Sequence, residues 1–349
     1  PLFSILLLVC SSAPFMTFLS IRLEMLHFSK PLIGFIHSAF YAGFLVGSIY
    51  VEKLIRQIGY IRSFAVFAAF YTSSVLIQGS FEFFSVWVAA RFLSGVCVSA
   101  LYIIIESWLL EKSTPQNRGK ILALYMITLY LSQASSQFLL SILPLASLLP
   151  FLCASILSSC SIIPVCLTKL PSMELTNKHS PKKSVYEVYK SAPFAFWGCF
   201  MSGLMLSAIY SFLGNFAYDK NISVALIMSI AIGGGFALQW PIGLLSDIFD
   251  RRKVLLGNTL AILLPSVLIL LFSSHTSLVL LLIFFLGGFC FVIYPLSITQ
   301  VCDRIDSIYI TYVVGLLSLV YSCGAISGPL IAALFMEKMT AIGLFAYII

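Results

Sequence analysis

Arg91 is the residue of this 349-residue chain whose type and position most directly suggest chemistry. It lies six residues inside an apolar segment, 85–110, that is long enough to cross a bilayer as a helix. A charge at that depth costs from about 2.5 to more than 10 kcal/mol, so such a residue normally faces a wet cavity or the interior of a bundle. The sequence therefore predicts either a solute-binding or coupling role for Arg91, or a structural pairing.

Two further ionisable side chains lie inside apolar segments. An unperturbed histidine side chain titrates near neutrality, so His37 could couple solute movement to protons, or it could be a neutral histidine bonded to a neighbouring helix. Glu106 lies 15 residues after Arg91, about 22 Å along a helix, so the two cannot pair directly. We interpret Glu106 as a latch to Arg118 or Arg56, with proton carriage as the alternative.

Amide side chains and one tryptophan also fall at membrane depth. Glutamines there join helices by hydrogen bonds as readily as they line a pore, so both interpretations stay open for this group. Its members are Gln133, Gln137, Gln239 and Trp240.

The chain lacks the motifs of common enzyme sites. No Walker loop, HExxH motif, nucleophile elbow or pair of catalytic carboxylates occurs, which argues against ATP-driven pumping and hydrolysis. The nine cysteines lie mostly inside apolar segments and form no CxxC pair, which argues against a zinc site or a disulfide framework. We therefore expect no catalytic residues, no metal, no cofactor and no enzyme activity.

The composition sets the elements that must position these residues. Apolar residues make up 60% of the chain and charged residues 9%, against roughly 45–50% and 25% in soluble domains. Apolar segments of about 20 residues recur, each long enough for a helix across the hydrocarbon core, and they lack the alternation of β-barrel strands. The sequence predicts an all-α polytopic membrane protein with eleven full transmembrane helices and a truncated twelfth, over 2–21, 31–51, 63–80, 85–110, 120–142, 149–168, 193–214, 222–246, 254–273, 278–300, 310–335 and 340–349.

The basic residues are distributed unequally between alternate loops. Fifteen of the 20 Lys and Arg residues lie on one side, four lie on the other, and Arg91 lies inside a segment. Because cytoplasmic loops carry the excess of Lys and Arg, the first segment is expected to run outward, in a cytoplasmic or inner membrane. The net charge of +7 is then a feature of topology, and nucleic-acid binding is not expected.

The longest polar stretch predicts the domain boundary. It divides the chain into an N-terminal six-helix bundle (1–168), a cytoplasmic linker (169–192) and a C-terminal six-helix bundle with an incomplete twelfth helix (193–349). Within the linker, 185–190 is predicted either as a short helix at the inner membrane surface or as solvated chain. The absence of an initiating Met suggests a fragment or a trimmed chain, and no secretory cleavage site is expected after the first segment.

A repeated turn indicates that the two bundles are related. The turn at 243–253 reads GLLSDIFDRRK and the turn at 54–62 reads LIRQIGYIR, and a shift of 191 residues superposes them. Two halves with the same turn after their second helix indicate a duplicated six-helix unit. The later turn resembles the signature G-x-x-x-D-x-x-G-R-R of the major facilitator superfamily at Gly243, Asp247, Arg251 and Arg252, with Asp250 in place of the second glycine.

Other matches strengthen this resemblance. Arg91-x-x-x-Gly95 is similar to the family's membrane-embedded arginine motif, and Glu106 with Arg118 resembles its charged exit into the next loop. The first-half turn has Arg56 at the aspartate position. A glycine-proline motif of antiporter members is matched at 324–329, but in the eleventh segment rather than the fifth, so it gives no support for antiport.

The resemblance, to an uncharacterised bacterial-type branch, implies a function. It implies a secondary active or facilitative transporter that moves a small organic solute by alternating access, as a monomer in a lipid bilayer, with protons as a candidate co-substrate. Arg91, Gln133, Gln239 and Trp240 are then candidate solute contacts. The candidate coupling and gating residues are His37, Glu106, Arg118, Asp247, Arg251 and Arg252, and Asp247 is expected to brace a helix near 309–315. The rival interpretations are a transporter-like receptor that does not transport and a lipid flippase.

Overall fold

The computed structural model describes residues 1–111, 113, 118–168, 185–306 and 309–349, and within these ranges the protein is helical without a β-strand. The predicted all-α fold is confirmed. The described residues form two compact units. One comprises Pro1–Phe28 with the described residues from Phe35 to Thr168, and the other comprises Ser29–Gly34 with those from Val185 to Ile349.

Each predicted segment contains a helix. The first half has α1 (Leu2–Met25), α2 (Lys30–Ile58), α3 (Tyr60–Ser80), α4 (Phe84–Glu111), α5 (Arg118–Ser136), α6 (Leu139–Ile142) and α7 (Leu149–Cys166). The second half has α8 (Val185–Ser191), α9 (Pro193–Asp219), α10 (Val224–Ile248), α11 (Arg251–Ala261), α12 (Leu263–Phe272), α13 (Thr276–Cys302), α14 (Ile310–Met339), a 3₁₀ turn (Thr340–Ile342) and α15 (Gly343–Ile348).

Ten helical stretches among the described residues are long and apolar enough to cross a membrane. They correspond to ten of the eleven predicted full crossings, and the fifth, α5, is not among them. The fifth segment was expected over 120–142, but α5 ends at Ser136 and α6 is separate. The hydroxyls of Ser135 and Ser136 donate to the carbonyls of Leu131 and Gln133, a local bonding pattern that competes with the helix ladder.

The ninth predicted segment is divided for a different reason. A turn at Ile262 separates α11 from α12, and Pro265 follows at the third position of α12. Proline has no N–H to donate to the carbonyl four residues earlier, which is that of Ala261, the last residue of α11. The helix ladder is therefore interrupted at this point.

Helix packing repeats between the two units. In the first, α1 packs on α5 and α7, and α3 packs on α4 and α7. In the second, the corresponding pairs are α9 with α14 and α15, and α12 with α13 and α15. The same pairs of helices meet in both units, as the duplicated six-helix unit predicts.

The short helix α8 packs on the second unit. Its buried Val188 joins a hydrophobic cluster with Phe196 of α9 and Val301 of α13. The guanidinium of Arg304 donates to the carbonyl of Ser191, the last residue of α8, at 3.2 Å. The predicted helical interpretation of 185–190 thus matches the structure, while the earlier linker residues, 169–184, lie outside the described part of the chain.

Candidate functional site

Arg91 is buried in the first unit. It lies seven residues into α4, about 10 Å along the helix axis, and 1% of the side chain is exposed. Of the largest fully buried side chains among the described residues, Arg91 alone carries a charge. The structure therefore places a cation deep inside a helical bundle.

The neighbours of this cation are soft and aromatic. The guanidinium carbon lies 4.3 Å from the centroid of the Phe40 ring in α2, and one terminal nitrogen donates to the sulfur of Met16 in α1. The Nε atom has no hydrogen-bond partner among the described residues, and no ion pair of Arg91 occurs there. A ring face and a thioether hold the arginine but do not neutralise it.

A close helix crossing explains why Arg91 sits over Phe40. Gly95 is one turn after Arg91, and a Cβ atom built on it would lie 1.9 Å from the carbonyl oxygen of Phe40. On the facing helix, a Cβ on Gly43 would lie 1.9 Å from the carbonyl oxygen of Phe92. Only glycine lets α2 and α4 approach this closely, so the matched Arg91-x-x-x-Gly95 spacing positions the guanidinium on the ring.

The second unit repeats the crossing without the charge. Gly234 of α10, 191 residues after Gly43, packs against the carbonyl of Phe284 in α13, and Gly287 of α13 packs against Ala231 of α10. Four residues before Gly287 stands Ile283, which is fully buried. The arginine thus belongs to one half alone, because the equivalent position of the other half is apolar.

His37 lies at the same depth as Arg91. It is seven residues into α2 and fully buried, and its Nε2 lies 2.6 Å from the hydroxyl of Ser20 in α1. It is also close enough to Arg91 to interact electrostatically. The neutral-histidine interpretation fits this hydrogen bond to a neighbouring helix, and a role in coupling stays a prediction.

Two buried tyrosines complete the surroundings of the arginine. Tyr41 of α2 is 8% exposed and Tyr71 of α3 is 1% exposed, and both interact electrostatically with Arg91. The group therefore combines one cation, one histidine, one thioether and three aromatic rings from four helices. Such a group can hold an anionic or polar moiety by charge-assisted hydrogen bonds and ring contacts.

The other candidates of the first unit lie apart from this group in sequence and environment. Glu106 is exposed and interacts with the buried Tyr125 of α5. The side chains of its predicted latch partners, Arg118 and Arg56, lie outside the described residues. Gln133 is half-buried near the end of α5, and its backbone carbonyl accepts from Ser136.

Gln239 and Trp240 belong to α10 of the second unit. Gln239 is half-buried and Trp240 is 74% exposed. They lie just before Pro241, which α10 contains without ending there. Their contact with a solute stays a prediction.

The signature turn between α10 and α11 forms an ionic bridge with the residue that follows α13. Arg251 donates to the carboxylate of Asp247 at 3.0 Å and to that of Asp303, the residue that follows α13, at 2.5 Å. Among the described residues, Asp247 is thus joined to α13 through Arg251, and its bracing of a helix near 309–315 stays a prediction. Asp250 caps α11 by accepting from the backbone N–H of Arg252 at 2.8 Å.

The two copies of the turn begin their next helix differently. Gly59 precedes α3 with a φ of +80°, which suits glycine, whereas Asp250 precedes α11 with a φ of −55° and a side-chain cap. This explains how aspartate replaces the second glycine of the signature.

Sequence reasoning missed several residues of these sites. Met16 and Phe40 gave no signal, because apolar residues fill every segment and their contacts with Arg91 are non-local. Asp303 was recognisable as a charge at a helix end, but its pairing with Arg251 was not. At the end of the second unit that carries the signature turn, the polar residues that the sequence did not point to are Gln300, Asp303 and Arg304.

Comparisons with known proteins agree on one family. A sequence model of the Major Facilitator Superfamily matches residues 2–238 and 196–348. A protein of Salmonella heidelberg (strain SL476), named "Uncharacterized MFS-type transporter YcaD", is 27% identical over 339 residues, which are 96% of this chain and 87% of that protein.

Solved structures share the fold. The crystal structure of the nucleoside transporter NupG has a TM-score of 0.81 at 14% identity and matches 99% of this chain and 95% of its own. The crystal structure of a D-xylose-proton symporter has a TM-score of 0.72 at 12% identity and matches 99% and 94%. At these identities the likeness is one of fold alone.

Proposed function

The chain belongs to the Major Facilitator Superfamily, and on that premise we propose that it is a secondary active or facilitative transporter of a small organic solute, working by alternating access. We place it in the inner membrane of a bacterial cell, as a monomer. The observation that carries the proposal is the buried Arg91, whose charge no described carboxylate neutralises.

The energetics of Arg91 favour a ligand. A desolvated charge without an ionic partner costs several kcal/mol, while a cation–π contact returns about 0.5–2 kcal/mol. A solute that brings an acidic or strongly polar planar group would neutralise the guanidinium and occupy its vacant Nε–H. We therefore propose that the solute carries a carboxylate or a comparable acceptor.

The solute panel follows from this chemistry and from the fold neighbours. Organic acids test the charge of Arg91 directly. Nucleosides and D-xylose, named for NupG and for the symporter, serve as neutral comparisons. Purified protein is screened by thermal shift, and each solute that raises the unfolding temperature is tested for uptake into proteoliposomes.

The flux measurement decides between transport and its rivals. Saturable uptake of a bound solute supports the proposal. Binding without any flux would favour the receptor interpretation, and movement of a labelled lipid alone would favour a flippase. Arg62→Met is the matched control for Arg91 variants, because Arg62 is exposed near the start of α3.

A further inference from the structure

A polar cavity lies in the second unit, at the end that carries the α10–α11 turn. Its volume is about 610 Å³, and its wall includes the last residue of α8, the start of α11 and the end of α13. Three arginines and two aspartates line it, which leaves a formal charge of +1. No residue of the Arg91 group contributes to it.

A buried amide in the cavity wall lacks partners. Gln300 of α13 is 2% exposed, and neither its amide nitrogen nor its amide oxygen has a hydrogen-bond partner among the described residues. Leaving such a group unsatisfied is costly, so native proteins normally supply a partner, water or ligand. Gln300 thus marks the cavity wall as a place where a polar ligand would be stabilised.

Two cations flank this amide. The Nε of Arg252 is buried without a hydrogen-bond partner among the described residues, and Arg252 occupies the first turn of α11. Arg304 also lines the cavity, and one of its terminal nitrogens donates to the Ser191 carbonyl. The N-terminus of α11 adds partial positive charge to the same wall.

The carboxylates of the wall are already engaged. Asp303 pairs with Arg251 at 2.5 Å, and Asp250 accepts from the backbone N–H of Arg252 at 2.8 Å. Neither carboxylate forms a side-chain ion pair with Arg252 or Arg304 among the described residues. The donors left for a ligand are two guanidinium groups and one amide.

We propose that this cavity binds a phosphate group, as a monoester or a diester, between Arg252, Gln300 and Arg304. Guanidinium forks match phosphate oxygens bidentately, and the amide of Gln300 can donate to a third oxygen. The phosphate comes either from an anionic lipid headgroup or from a soluble compound, since both present the same oxygens. This site is independent of the solute proposed for Arg91.

The test uses the purified full chain in a neutral detergent at constant ionic strength. The probes are inorganic phosphate and phosphatidylglycerol added as mixed micelles with the detergent, with chloride and phosphatidylcholine as their references, and the readout is the thermal unfolding midpoint. At least one probe is expected to raise the midpoint saturably in the parent protein. A rise with phosphate identifies a soluble ligand, and a rise with phosphatidylglycerol alone identifies a headgroup.

Variants separate a site from general attraction. Arg252→Gln is expected to weaken the apparent Kd at least fivefold. Its matched control, Lys253→Gln, removes the same charge from the next, exposed residue and is expected to change Kd less than twofold. No saturable rise with either probe, or equal weakening by the two variants, would overturn the proposal.

Gln300→Leu keeps the proposal testable if Arg252→Gln does not fold. Because the amide has no protein partner in the described part of the chain, leucine is expected to raise the midpoint without probe and to remove the probe-dependent rise. A Gln300→Leu protein that binds the probe like the parent contradicts the proposal, whatever its midpoint without probe.

Discussion

The guanidinium carbon of Arg91 lies 4.3 Å from the centre of the Phe40 ring, and Gly95 packs closely against the backbone carbonyl of the same Phe40. One residue of α2 thus sets both the distance between the helices and the surface on which the cation rests. The position of the charge depends on this crossing, so changes at the crossing and at the charge should have separable effects.

The crossing itself can be tested at Gly95. In Gly95→Val the new side chain would collide with the Phe40 carbonyl, and overpacking of this kind costs about 1–3 kcal/mol or more. We expect a lower unfolding midpoint in detergent and reduced uptake. Gly233→Ala is the control: no atom lies within 4 Å of its added Cβ, so this helix-interior change should stabilise by about 0.5–1 kcal/mol. Equal loss of stability in both variants would contradict the packing account.

The role of His37 can be tested through pH. If His37 couples transport to protons, His37→Gln should flatten the pH dependence of uptake while leaving solute binding at a fixed pH nearly intact. His275→Gln is the control, since His275 is exposed at the start of α13. A parent protein in which a pH gradient drives no accumulation would remove proton coupling, and an unchanged pH profile in His37→Gln would assign the histidine to structure.

The bridge from Asp247 through Arg251 to Asp303 should act on gating more than on folding. Both carboxylates are more than half exposed, and such pairs contribute about 0–1 kcal/mol. We expect Asp247→Asn to lower the free energy of unfolding by less than about 1 kcal/mol. In a Cys-free background, a cysteine at Leu244 should then react faster with a maleimide applied from the inner side.

The equivalent turn of the first half provides a comparison for the bridge of the second half. Arg56 stands where the first-half turn would have the aspartate, so Arg56→Asn should change the accessibility of the same inner-end cysteine less than Asp247→Asn does. Unchanged labelling in Asp247→Asn, or equal changes in the two variants, would count against a gating role of this bridge that belongs to the second half alone.

The orientation can be tested by labelling from either side. Single cysteines at Glu82, between α3 and α4, and at Lys190, in α8, should lie on opposite sides of the membrane, because the loops around Lys190 carry the excess of basic residues. An impermeant reagent should reach Glu82 in intact cells and Lys190 only after lysis. Labelling of both positions in intact cells would refute the topology.

The sequence was most informative about features set by local pattern. The helices follow from apolar length and the signature turn from its charges. The glycine one turn after Arg91 was matched as part of a motif, but the α2–α4 crossing that it permits was not predicted. The early end of α5 was missed because Ser135 and Ser136 bond back to the chain, which residue type alone does not reveal.

The partners of charged groups were not predictable, since they come from distant segments. Arg91 finds Met16 and Phe40, and Arg251 finds Asp303, 52 residues later. Gln300 shows the same limit: its amide is notable only because the surrounding fold buries it without a partner among the described residues.

The central claim, that the buried charge of Arg91 serves a solute, is tested most directly by uptake and unfolding measured together on Arg91→Met. Methionine removes an uncompensated buried charge, so the unfolding midpoint should equal or exceed that of the parent, while saturable uptake should fall at least tenfold, equivalent to about 1.4 kcal/mol. Arg91→Lys should also lose most uptake, because it keeps the charge but not the planar fork. Near-parental uptake in Arg91→Met, or a loss of uptake matched by a lowered midpoint, would contradict the claim.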